Sequence, residues 1–366
     1  MGRFYSTVLV FLLFLGSFAA ATEFGKVTVR KVADGVYLFT TSSYGDVGMC
    51  GNSVAILSDD GALVFDSTAL PETAAKVLAE IRKLTGKPVR YLVNSHWHWD
   101  HWGGNQVYRS EFPGLDIITH EKNLAQMLEV EPRWNDAGLK EQLPRYLEYL
   151  EKNIAAARAK GAPEAEIRDQ EMMLKADRDF YNQKISLDKT YPNVTFSGSM
   201  SVRPGGREID ILHARAITIG DTYLYLPKER ILIAGDILLN PFPFAIGGSY
   251  PADWLKTLEG FAALHPALII PGHGEARSDP EFLQQTISLF REVIRLVRDA
   301  HAKGMTLEQV RESIGQQAGS LASGVGITDP EKVKEFRAYF LDVFTARAFE
   351  EQDHPLGDLP AGLPPS

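Results

Sequence analysis

The stretch Val89-Arg90-Tyr91-Leu92-Val93-Asn94-Ser95-His96-Trp97-His98-Trp99-Asp100-His101-Trp102-Gly103-Gly104 decides how this chain is read. An apolar run with strand character leads straight into three imidazoles and a carboxylate. Neutral imidazole nitrogen and ionised carboxylate are the ligands that zinc and its borderline neighbours prefer. The chain has 9 histidines and a third of them fall here, so a chance surface cluster is a poor account. The end of a strand ahead of a Gly-Gly pair is also where folds present side chains to a site. The cluster reads as a metal site.

Working outward, Val27 to Val32, Gly35 to Thr41, Asn52 to Leu57 and Ala62 to Phe65 have strand character, with Asp66 closing the last of them. Pro71 opens a helix with apolar residues at Ala74, Val77, Leu78, Ile81 and Leu84, and Gly86 stops it. After the cluster, Leu115 to Thr119 is a short strand and a helix starts at His120. Residues 126–189 are charged and helical, with Leu139, Leu143, Leu147, Leu150 and Ile154 on one stripe. Gly161-Ala162-Pro163 folds that stretch into a helical hairpin, read as an inserted lid or packing arm. Strands resume at Val194 to Val202, Glu208 to His213, Asp221 to Leu226, Ile231 to Ala234 and Ala267 to Ile270, with a helix over Trp254 to Leu264. A helical extension covers residues 277–353, and the Pro- and Gly-rich tail 354–366 is expected to fray.

One regularity bears on function. Asp66, the histidine cluster, Asp236 and His273 each follow the last residue of an apolar strand. Loops beyond the carboxyl ends of strands in an α/β domain converge on one edge. A capping or turn role would explain any one of these residues, but four at equivalent positions point to a shared site.

Bulk properties narrow the function classes. Arg3, the apolar run Val8 to Phe18 and Ala19-Ala20-Ala21 have the form of a cleaved export signal over residues 1–21. That run is shorter than the roughly 20 residues a spanning helix needs. A periplasmic or secreted protein with no membrane segment after cleavage is therefore expected. Formal charge is -9, and losing Arg3 with the signal takes it to -10, which argues against nucleic acid as a partner. The single cysteine, Cys50, excludes an internal disulfide and reads as a small packed residue.

With these residues assembled, the chain resembles the metallo-β-lactamase superfamily over about residues 25 to 276. The matching pieces are Asp66, His96-x-His98-x-Asp100-His101, Gly220-Asp221 with Tyr225-Leu226-Pro227, Ala234-Gly235-Asp236 and Pro271-Gly272-His273. The resemblance implies an α/β fold, a four-layer αββα sandwich over residues 22–276, with the helical insertion and C-terminal helices added to it. It implies a two-zinc site in which His96 and His98 serve the first metal, Asp100, His101 and His273 the second, and Asp236 bridges both. Asp66 would orient the site from behind.

One ligand position departs from the family pattern. The remaining first-metal histidine stands four residues before the aspartate of the Gly-Asp pair, and here that residue is Ile217, which has no lone pair to offer. His213 lies four residues further upstream, about 13 Å away in extended chain. The resemblance therefore implies Zn2+, one or two per chain, with the second site the stronger. It further implies hydrolysis of a small-molecule lactam, lactone, ester, thioester or phosphoester by attack of a metal-bound hydroxide, with Asp100 placing that hydroxide or moving its proton. The alternative is a degenerate relative that binds metal or ligand with little or no turnover. Pro241-Phe242-Pro243-Phe244 beside Asp236 reads equally as an apolar pocket wall or as core.

Overall fold

The computed structural model describes residues 24–45, 49–132 and 137–357. The expected export signal, residues 1–21, lies outside them, as do residues 358–366 of the tail. No helix among the described residues is long and apolar enough to cross a membrane.

In chain order the first elements are β1 (Val27–Ala33), β2 (Val36–Thr41), β3 (Ser53–Ser58), β4 (Gly61–Phe65), α1 (Pro71–Leu84) and β5 (Val89–Val93). Then come α2 (Trp99–Trp102), α3 (Asn105–Glu111), β6 (Asp116–His120), α4 (Glu121–Glu129), α5 (Ala137–Ala159) and α6 (Glu164–Ile185). The later strands are β7 (Val194–Phe196), β8 (Ser199–Val202), β9 (Ile209–Ala214), β10 (Asp221–Leu226) and β11 (Ile231–Gly235). After α7 (Pro251–Ala263) and β12 (Leu268–Pro271) the chain is helical: α8 (Glu281–His301), α9 (Leu307–Gly315), α10 (Ala318–Ser323), α11 (Pro330–Phe336) and α12 (Asp342–Asp353). The chain divides into two compact units. The first runs to Ile117 and takes in Ala125–Asn193, and the second holds Ile118–Leu124 and everything from Val194 on.

In the first unit, β1 to β4 pair antiparallel in succession and β5 joins β4 in parallel. The helix expected from Pro71 forms as Pro71–Leu84, and its apolar face packs Ala74, Val77, Leu78 and Ile81 onto Ala62, Val64, Val89 and Leu92. Burying each of the larger ones contributes about 1.5–3 kcal/mol. The predicted stripe of the insertion is also present, with Leu143, Leu147 and Ile154 buried beside Ile167, Leu174 and Phe180 of α6. Pro144 is accommodated inside α5. Cys50 is buried in this same cluster, and burial pushes its thiol well above the usual range, which suits packing and not nucleophilic work.

The parallel register positions functional residues. Phe65 lies opposite Val93, and the Asp66 amide donates to the Val93 carbonyl at 2.8 Å, so Asp66 and Asn94-Ser95 leave the sheet side by side. Gly103 and Gly104 follow the cluster with ordinary negative φ, so backbone freedom is not what they provide. A Cβ at Gly103 would stand 1.9 Å from the Ala69 carbonyl oxygen, and one at Gly104 would stand 2.2 Å from that of Ser67. Only glycine allows this approach.

In the second unit, β8, β9, β10 and β11 pair antiparallel and β12 joins β11 in parallel. The single strand expected over Val194 to Val202 is two: β7 pairs with β6 and β8 with β9. Gly198, at φ +103°, makes the break. The C-terminal helices pack into the same apolar cluster as Leu232, Ala234 and Ile269. At its centre Trp254, Phe290 and Phe344 meet edge-to-face, with centroids 4.6–6.2 Å apart. The expected frayed tail holds on longer than composition suggests. Leu356 is buried with Ile219 and Tyr250, its carbonyl accepts from Arg215, and that of Gly357 accepts from Tyr250. Phe242 and Phe244 are half-buried and pack against Phe336 and Tyr339 at the margin of the apolar cluster.

His120 and His213 stack within this unit at 3.7 Å and 8°, and the His213 Nε2–H donates to the Ile219 carbonyl at 2.9 Å. Burial and His213 push His120 down to about 4, and burial lowers His213 as well. Lys122 lowers both, while Glu121 raises His213. The unfolded chain takes up these protons near 6.5 and the folded one resists them, so stability is present at pH 7 and falls as pH drops from about 6.5 towards 4. His213→Phe is expected to lessen that acid loss, seen as a smaller drop in melting temperature between pH 7 and pH 5. An unchanged drop would overturn this assignment.

Candidate functional site

In the first unit the cluster emerges from β5 and turns through the single-turn helix α2. His96, Asp100 and His101 are buried and His98 is half-buried. His96 Nε2 lies 2.7 Å from His98 Nδ1, and His96 Nδ1 lies 2.9 Å from Ser95 Oγ. His101 Nε2 lies 3.3 Å from Asp100 Oδ2. The opposite nitrogen of His101, Nδ1, lies 2.8 Å from Asp66 Oδ2. A carboxylate can only accept, so Nδ1 carries the hydrogen and Nε2 keeps its lone pair for the Asp100 side.

Asp66 is fully buried and also accepts from the Ser95 amide at 2.7 Å. Burial pushes its carboxyl above the usual range, against the opposing pull of His101 and Ser95. Both Asp66 and Thr68 have positive φ, 59° and 66°. For a β-branched residue such as Thr68 this is strain, of the kind held in place by surrounding structure at sites. Beneath the cluster, Asn105 donates to Asn94 Oδ1 at 2.8 Å and accepts from Ser67 at 2.8 Å and Asn94 at 3.1 Å. Gly51 leaves room for the His101 ring, since a Cβ there would stand 2.6 Å from its Cε1.

In the second unit, Gly235 lies opposite Pro271 in the parallel pair, so Asp236 and Gly272-His273 leave the sheet together. His273 Nε2 lies 3.6 Å from Asp236 Oδ1, and a Cβ at Gly272 would stand 2.0 Å from that oxygen. Asp221, whose position in the Gly-Asp pair carried no assigned role, organises the loop that holds Ile217. Its carboxylate accepts from the Ala216 and Thr218 amides at 3.2 and 2.9 Å and from the Thr218 hydroxyl at 2.6 Å. Burial pushes Asp221 up to about 7, and Asp236 adds to the rise while these donors oppose it. Ile217 is fully buried in the unit's apolar cluster with Ala216, Ala234 and Ile237. His213 Nε2 is bonded to the Ile219 carbonyl and its ring is stacked on His120.

Each unit thus gathers its predicted residues at the carboxyl end of a parallel strand pair: Asp66, His96, His98, Asp100 and His101 in one, Asp236 and His273 in the other. Lone pairs converge in both sets, and glycines leave the space those side chains occupy, so the donor chemistry fits a divalent cation. Sequence reasoning did not single out Ser95, Asn105 or Lys184, whose ammonium packs on Trp99 and Trp102. Their roles depend on pairings over distance, and only Asn94-Ser95, adjoining the cluster, hinted at them.

Two α/β units with histidine and carboxylate sets at strand ends define a mixed α/β protein with candidate metal-ligating groups. The chain belongs to the metallo-beta-lactamase superfamily, which it matches over residues 49–273. It is 24% identical over 280 residues to the linear primary-alkylsulfatase of Pseudomonas sp., covering 71% of this chain and 49% of that relative. The chain therefore spans about half the length of that relative. It is 21% identical over 282 residues to metallo-beta-lactamase type 2 of Elizabethkingia meningoseptica, covering 75% of this chain and 89% of the relative. Among solved structures, a metallo-beta-lactamase from Pontibacter korlensis is similar at TM-score 0.50 and 18% identity, over 73% of this chain and 99% of that one. The mono-zinc form of the metallo-beta-lactamase FIM-1 from Pseudomonas aeruginosa is similar at TM-score 0.50 and 16% identity, over 73% and 95%. The fold is accordingly the metallo-β-lactamase fold, with two sheets and many helices.

Proposed function

We propose that this protein is an extracytoplasmic zinc-dependent hydrolase of a small-molecule carbonyl compound or phosphoester. In this reading, following the family pattern, His96 and His98 serve one ion, Asp100, His101 and His273 the second, and Asp236 bridges both. The observation that carries it is the Asp66–His101 contact, which commits His101 Nε2 to accept a cation next to Asp100. Relatives named as an alkylsulfatase and a β-lactamase support hydrolysis, and the first adds sulfate esters to the substrate classes. A bound divalent metal supplies Lewis acidity and brings the pKa of water down towards 7. Asp66 holds the His101 tautomer, and Asp100 Oδ2 takes up the proton released as water attacks.

The first pocket has Ile217 where a third neutral ligand would stand, so it binds metal more weakly and the second pocket fills first. Protein purified without added zinc is expected to carry about one tight equivalent per chain; two equally tight equivalents would contradict the asymmetry. The burial of Ile217 among apolar residues favours a second reading, a relative that holds metal without turnover. A panel of a cephalosporin, a lactone, an aryl ester, a bis-phosphodiester and an alkyl sulfate, run with and without chelator, separates the two. Chelator-sensitive turnover of at least one is expected, and metal-loaded protein inert to all would establish the second reading.

A further inference from the structure

We infer that α6 of the helical arm clamps the metal-ligand turn, with Lys184 as the positioning residue that sets how Asp100 and His101 are presented. The inference rests on the metal-site reading above. The turn α2 is only Trp99–Trp102, far too short to hold its own shape as an isolated helix. It needs side chains from elsewhere, and its outer residues receive them. Lys184 Nζ lies 5.1 Å from the centroid of Trp99 and 5.9 Å from that of Trp102, the two residues that flank Asp100 and His101. One α6 turn earlier, Phe180 packs on Trp99 at 5.1 Å. On the far side, Tyr191 lies 5.5 Å from Trp102, whose Nε1–H donates to the Trp97 carbonyl at 2.8 Å.

Lys184 is an unusual residue to find there. Its side chain is 2% exposed, and Glu131, at 3.7 Å, is fully buried. Lys189 holds the other Glu131 oxygen at 2.7 Å. Burying an ammonium is expensive, and an apolar side chain of the same length would pack without that cost. What an apolar side chain lacks is directional attraction to two aromatic faces at once, which desolvation strengthens. The ammonium therefore fixes two rings in one arrangement, and through their backbone the two ligands between them.

The test is cobalt(II) titration of the full chain, reading affinity and the d–d absorption bands, with melting temperature alongside. Lys184→Met is expected to weaken binding at the second pocket 10- to 100-fold and to shift the bands. Glu131 keeps Lys189, so the variant retains a paired carboxylate; if it nevertheless fails to fold, Lys184→Gln is expected to give the same spectral shift. Lys184→Arg, which keeps the charge, is expected to restore most of the affinity. Ile167→Ala is the control: it is buried on the same helix, seventeen residues and about 25 Å away, and should lower melting temperature without moving the bands. Unchanged affinity and bands in both Lys184→Met and Lys184→Gln would overturn the inference alone. A wild-type chain that binds no cobalt would overturn the metal reading and this inference with it.

Discussion

Asp100→Ala is expected to lower chelator-sensitive hydrolysis roughly a thousandfold. The residue carries two tasks in the proposed function, ligand and proton acceptor, and its Oδ2 faces the lone pair of His101 Nε2 at 3.3 Å. Its loss leaves that nitrogen without the negative charge that draws a cation to it. Asp100→Asn separates the tasks, because an amide keeps the shape and one coordinating oxygen but accepts no proton near neutral pH. The alanine variant is expected to lose metal and activity together, and the asparagine variant to lose activity beyond its loss of metal. Steady-state kinetics with metal analysis on the same samples checks both. An alanine variant with wild-type kcat/KM would remove Asp100 from the mechanism.

Ile217→His is expected to have opposite effects with and without metal. Ile217 is fully buried among Ala216, Ala234 and Ile237, so an imidazole there loses solvent and costs about 1–3 kcal/mol. In a chain of this size that lowers the metal-free melting temperature by about 2–8 °C. Under the proposed function the new nitrogen would serve as the third neutral ligand of the first ion, and binding to the folded state alone adds stability in proportion to affinity. Thermal melts across a zinc series should show a larger metal-induced rise in the variant than in the wild type. Equal rises would mean that position 217 does not reach the metal, leaving Ile217 as core.

Much of this was legible before any coordinates. The helix at Pro71–Leu84, the strand leading into the cluster and the stripe along α5 all follow from apolar periodicity, which records burial. The break at Gly198 was missed because an isolated glycine inside an apolar stretch shows its φ only once strands choose partners, and here they choose different ones. The start of the tail, up to Gly357, is held for a related reason. Its composition predicts fraying, but two carbonyls and one leucine side chain meet Arg215 and Tyr250, which composition does not register.

The candidate site divides along the same line. Three histidines and an aspartate within six residues needed no tertiary structure to be recognised, since a metal's choice of donor atoms is local chemistry and the spacing was on the page. The gap at Ile217 was equally visible. Only the tertiary structure decided that Asp66 holds His101 by Nδ1, that His213 is spent on Ile219 and His120, and that Lys184 lies over Trp99 and Trp102. Those pairings join residues 35, 6, 93, 85 and 82 positions apart. The sequence alone determines which residues can ligate and which must be buried, because each is a property of one side chain and its near neighbours. Which nitrogen faces the cation is set by distances between side chains, and those exist only once the chain has folded.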